Sequence, residues 1–131
     1  MKSLVLLFCM LFSIAGICQN NQDIPKSKTY YGKIKFHMTE VNFNNLKSGQ
    51  NYVGLILISN ITNKNVLIKE IVKDCGCVDV KISSKTVIPN ENFPIEIKIV
   101  KAVKGKLSKK IFIYFVGEKL PVVISVKGNF I

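Results

Sequence analysis

The residues with the most pointed chemistry in this 131-residue chain are Cys75 and Cys77, separated by Gly76. The chain has 4 cysteines, but Cys9 and Cys18 fall in an apolar leader, so this pair stands alone in the remainder. On an extended backbone residues i and i+2 share a face, with Cα atoms about 6.6 Å apart at a rise of about 3.3 Å per residue. A disulfide spans roughly 4.4–6.8 Å between Cα atoms, so a bridge needs the chain to pinch. Glycine supplies that freedom through its access to positive φ.

Three readings of the pair stand side by side. In the structural one the cysteines pack, or form a tight bridge, at a strand start, because buried cysteine behaves as a small hydrophobe. In the redox one they exchange with other thiols. Such a bridge closes almost no loop, adds little stability and is readily reduced, and Lys73 close by would favour a thiolate. In the metal one two same-face thiolates hold a soft ion such as Cu(I). A closed zinc site would need two further ligands, and His37 and Met38 are the soft side chains elsewhere. The pattern implies no further metal and no cofactor.

No catalytic set accompanies the cysteines. The chain has one histidine, no glycine-rich phosphate loop and scattered acids, so an enzyme is not expected. Asn60-Ile61-Thr62 matches a glycosylation acceptor pattern. The 19 basic residues are all lysine, against 8 acids, for a net charge of +11, and there is no tryptophan. Nucleic-acid binders use arginine forks for bidentate contacts and aromatic faces for stacking. Here the lysines are spread singly, with Lys109-Lys110 the adjacent pair. This pattern reads as a solvated surface, with anionic glycans or lipid headgroups the alternative contact and nucleic acid not expected.

The first 18 residues have the anatomy of a secretory signal: Lys2, an apolar run from Leu4 to Phe12, the small residues Ser13, Ala15 and Gly16, then polar Gln19-Asn20-Asn21-Gln22. The apolar stretch falls short of the roughly 20 residues that cross a bilayer. Cleavage near Cys18–Gln19 is therefore expected, leaving no transmembrane segment in the mature chain. Removing Lys2 takes the 19 basic residues to 18 against 8 acids, and the charge from +11 to +10. Lipid attachment at Cys18 is the alternative, and Ile17 stands where a lipoprotein signal wants a small residue. Residues 19–29, polar and containing Pro25, read as a flexible leader.

From Tyr30 to Ile131 the pattern is β. Phe93, Ile95, Ile97 and Ile99 alternate with polar or kinked positions, as do Val78, Val80 and Ile82, and Leu120, Val122, Ile124 and Val126. Tyr52–Ile58 and Ile111–Val116 are apolar on both faces and are expected at the centres of sheets. Val66–Val72, Ile34–Phe36 and Val41–Phe43 are further strands, separated by turn-rich stretches at 47–51, 60–65, 89–92 and 116–118. Seven to eight short strands without a helix predict an antiparallel β-sandwich of immunoglobulin-like shape.

The order of landmarks resembles the bacterial domain-of-unknown-function family 1573, frequent among exported proteins of Bacteroidota. The resemblance runs from Ile34 to Phe130. Its most specific element is Asp74-Cys75-Gly76-Cys77 after a β-branched strand; Val41-Asn42-Phe43-Asn44, Ser48-Gly49-Gln50, Ser59-Asn60, Ile88-Pro89 and Gly105 mark the rest. Where the family has glycines after Phe43 and Pro89, this chain has Asn44 and Asn90, and Val78 replaces a threonine. The resemblance implies an immunoglobulin-like sandwich and no established reaction.

The sequence therefore predicts an exported, non-enzymatic β-sandwich, in the periplasm or associated with the outer membrane, that binds or scaffolds another envelope protein or glycan. The rival class is a thiol-redox or Cu(I)-handling protein acting through Cys75 and Cys77.

Overall fold

In a computed structural model, residues 27–131 are described; the expected signal peptide and most of the expected leader lie outside them. Ten strands follow in order: β1 (Lys28–Tyr30), β2 (Ile34–Phe36), β3 (Glu40–Leu46), β4 (Tyr52–Asn60), β5 (Val66–Lys73), β6 (Val78–Lys81), β7 (Thr86–Val87), β8 (Asn92–Ile99), β9 (Gly105–Phe115) and β10 (Val122–Phe130). They form two five-stranded sheets, β1-β2-β4-β8-β6 and β3-β10-β9-β5-β7. The expected sandwich is present, and the described residues contain no helix.

Three details differ from the sequence reading. The strands number ten rather than seven or eight, because β1 recruits Lys28 and Thr29 from the expected leader and β7 is only two residues long. Strand β9 starts at Gly105, well before Ile111, and its lysine-rich first half pairs with Ser125–Phe130. That half is polar outward and carries few apolar side chains, so periodicity alone does not mark it. Finally, β3 pairs parallel to β10 while every other strand pair is antiparallel. The chain leaves the first sheet after Phe36 and enters the second at Glu40, where β3 takes the edge position beside β10.

The core lies between the sheets and is built by strict alternation. Phe36, Ile56, Ile58, Ile95, Ile97 and Ile99 from one sheet face Ile111, Ile113, Phe115, Ile124 and Val126 from the other, all buried. Each such side chain contributes about 1.5–3 kcal/mol relative to exposure. Strands β4 and β9 are the middle strands of their sheets, as their apolar content predicts.

Three backbone positions shape how the fold closes. An added Cβ on Gly54 would stand 2.8 Å from Val41 Cγ1 and 3.1 Å from Phe43 Cζ, so β3 seats against β4 because that side chain is missing. Asn90, where the resemblance expects glycine, holds φ at 61°; asparagine tolerates the left-handed region better than most side chains. After Phe43 the left-handed residue is Asn45 (φ 58°), one position beyond the family's glycine. It is skipped in the register, which passes from Asn129 opposite Asn44 to Phe130 opposite Leu46.

Candidate functional site

Strand β5 ends in one sheet at Lys73 and β6 begins in the other at Val78, so the Cys-Gly-Cys element makes the crossing. Cys75 and Cys77 are joined by a disulfide, with Cα atoms 5.4 Å apart. The chain has pinched from its extended spacing, as a bridge demands. The means differ from expectation. Gly76 does not adopt positive φ, and a Cβ placed on it would meet nothing within 4 Å. A turn outside the left-handed region shortens the span, so neither conformation nor crowding requires glycine there.

Both shoulders of the turn are fastened. The Asp74 N–H donates to the Lys110 carbonyl at 3.3 Å, and an Asp74 carboxylate oxygen accepts the Lys110 N–H at 2.7 Å. On the far side the Cys77 carbonyl accepts the Val100 N–H at 2.9 Å. Above the turn, Lys73 Nζ meets Asp79 Oδ1 at 2.8 Å. This hydrogen bond, with the lysine's charge, holds the Asp79 carboxyl below the usual aspartate range. Lys73 therefore has a carboxylate partner, and its charge is shared with Asp79.

The other soft side chains lie elsewhere. His37 is level with Leu57 through its N–H, whereas Val78 is level with Tyr52 across β8. Five strand positions separate the two levels, roughly 16 Å at the usual rise. His37 Nε2 sits 3.0 Å from Ser59 Oγ, and Met38 packs half-buried against the core. Among the described residues no three His, Cys, Asp or Glu side chains converge as a metal site would need, and the bridged sulfurs carry no thiolate for an ion.

Asn60 has a role that its glycosylation pattern hides. It is buried at 1% exposure. Its amide nitrogen donates to the carbonyls of Lys64 at 2.6 Å and Val87 at 2.9 Å. Its oxygen accepts from the Thr62 N–H at 2.9 Å and the Thr62 hydroxyl at 2.6 Å. The whole amide is consumed in tying the β4–β5 loop to β7, so in the folded chain it is no acceptor for sugar.

Two surface features were not visible in the sequence. The first is a cavity of about 290 Å³ at one end of the sandwich, floored by Ile34 and Phe115 and walled by Tyr31. Lys33 and Glu118, 85 residues apart, pair across it at 3.1 Å. Burial and then the Glu118 charge push the Tyr31 phenol up, and its hydroxyl donates to the Leu120 carbonyl. The second is on β4. Its outward side chains Val53, Leu55 and Leu57 are 55%, 57% and 40% exposed, an aliphatic stripe at the middle of a sheet. Beside it β2 pairs only with Ile58–Asn60, so the Val53–Ile56 stretch of β4 has no neighbour strand on that side among the described residues. The other sheet presents lysines instead: exposed Lys106 and Lys110 on β9, and Lys127 on β10 paired with Glu40 at 3.3 Å.

The two-sheet sandwich has the fold of PapD-like, immunoglobulin-like domains. A PapD-like domain of human CEP192 superposes with a TM-score of 0.63 at 10% identity, covering 88% of this chain and 96% of that domain. A protein of unknown function from Porphyromonas gingivalis W83 gives 0.65 at 11% identity, over 86% of this chain and 51% of the other. The Vibrio cholerae VesB protease gives 0.54 at 7% identity, over 74% of this chain and 32% of that one. This chain thus spans about half of the Porphyromonas protein and a third of the protease, and these likenesses show fold alone. No curated protein sequence matches the chain. The model of the protein family of unknown function DUF1573 matches residues 34–130, and the chain belongs to that family.

Proposed function

We propose that the chain is an exported β-sandwich that binds or scaffolds another component of the cell envelope through the outer face of β4, a contact that itself involves no turnover. The aliphatic stripe Val53-Leu55-Leu57 carries this reading. Scattered exposed aliphatics are ordinary, but a contiguous row at a sheet centre, next to an open strand edge, costs hydration and invites aggregation unless a partner covers it. An extended segment added beside Val53–Ile56 would gain main-chain hydrogen bonds and lay alternate side chains along the stripe. The signal-like first 18 residues support export, with lipid at Cys18 the alternative attachment.

A photo-crosslinking residue placed at position 55, and separately at position 110 on the opposite sheet, tests the reading in the producing cell. A discrete adduct from position 55 that survives high salt and is lost in Val53→Lys supports it. Adducts from position 110 alone, weakened steeply by salt, would transfer the contact to the lysine face and to an anionic partner.

A further inference from the structure

The disulfide is placed where a brace has little to do. It closes a ring of three residues, so it restricts the unfolded chain very little. The folded turn is already held without it, by the two Asp74–Lys110 bonds, the Cys77–Val100 bond and the Lys73–Asp79 pair. At the same time the bridge is accessible. Cys75 and Cys77 are half-buried, Gly76 between them is exposed, and the space a side chain would fill at Gly76 is empty to 4 Å. A glycine that neither φ nor crowding requires leaves its apex bare, and a bare apex lets a second backbone approach closely.

We propose that Cys75–Cys77 is a thiol-exchange site that accepts two electrons from a dithiol on a partner polypeptide. A partner thiolate attacks one sulfur of the bridge; a new S–S bond forms to the partner, and the Cys75–Cys77 bond breaks. The electron pair leaves on the other cysteine, which takes up a proton from water. The partner's second thiolate then attacks the mixed disulfide, so that the partner departs oxidised and the first-attacked cysteine is released and protonated. The partner loses two thiol protons and two electrons, and the turn ends as a dithiol. Because the shoulders stay fastened, the two thiols remain within reach of each other and the pair can be reoxidised in place. This site is separate from the β4 stripe, and neither proposal depends on the other.

The test uses the purified mature chain in native buffer. Millimolar reduced glutathione is added, free thiols are capped with N-ethylmaleimide and intact mass is read beside the thermal unfolding midpoint. The expected result is two caps within minutes, while the midpoint moves by only a few degrees. A bridge that resists glutathione until denaturant is added, or whose reduction unfolds the domain, overturns the proposal. Two variants sharpen it. Gly76→Leu, which fills the open apex, should slow the reduction several-fold with the midpoint unchanged; an unchanged rate refutes the access argument. In Cys77→Ser with Cys75 first joined by a disulfide to a small aromatic thiol, the thiolate of a reduced Cys-X-X-Cys peptide should attack Cys75 and expel the aromatic thiol from the folded chain, at a rate within tenfold of that for an unfolded peptide bearing the same mixed disulfide. A rate slower by more than tenfold would show that the folded turn shields the sulfur and would overturn the proposal.

Discussion

Asp74 and Lys110 grip each other twice through the backbone of Lys110: the Asp74 N–H donates to its carbonyl at 3.3 Å, and an Asp74 carboxylate oxygen accepts its N–H at 2.7 Å. The clasp fastens the crossing turn to β9 one residue before the disulfide. Asp74→Ala removes the charge-assisted bond, worth about 1 kcal/mol once solvent exposure is allowed for. Hydrogen exchange at the Lys110 amide should quicken, while amides in the middle of β4 keep their protection relative to global stability.

Asp79 reports on the other side of the same turn. Its carboxyl is held down chiefly by the hydrogen bond from Lys73 and then by that lysine's charge. A carboxylate with a depressed folded pKa stabilises the fold above its unfolded pKa, and that contribution disappears as pH falls through the folded value. An NMR titration should therefore place the Asp79 midpoint below that of an ordinary aspartate. Lys73→Met should move it back up, and a midpoint unmoved by that change would show that the pair is absent in solution.

Asn60→Ala strands the carbonyl of Val87 and frees the Thr62 N–H and hydroxyl. Leaving buried partners unsatisfied costs about 2–3 kcal/mol, which denaturant unfolding would register as a lower midpoint at unchanged slope. Asn60→Asp should be nearly as damaging, since it loses both donors.

Two glycines make opposite predictions. Gly54→Ala drives a methyl toward Val41 and Phe43, and overpacking of this kind costs about 1–3 kcal/mol. Gly76→Ala meets no atom and no φ restriction, so its thermal midpoint should equal that of the parent.

Asn90 supplies a fifth test. At φ 61° a β-carbon without a polar side chain is penalised, so Asn90→Ala should lose about 1 kcal/mol, whereas Asn90→Gly should stay close to the parent. Thermal unfolding of the two variants in parallel decides it.

Much of the architecture was legible in the residues themselves. Alternation of Phe93, Ile95, Ile97 and Ile99 dictates a half-buried strand because side chains alternate across a pleat, and the two-sided apolar runs at Tyr52–Ile58 and Ile111–Val116 mark the sheet centres. The Cys-Gly-Cys spacing permits a bridge but does not by itself choose between a disulfide, free thiols and a bound ion. What periodicity lacks is partnership. It could not show that the lysine-rich start of β9 is a strand, since Ser125–Phe130 stabilise that stretch from across the sheet. It could not show that Lys73 pairs with Asp79, or that Asn60 is a buried tie rather than a sugar acceptor. Nor could it reveal that the outer face of β4 is left bare, because an apolar run reads the same whether a second layer covers it or not. Local sequence determines which way each side chain points; only the tertiary structure decides what, if anything, it meets there.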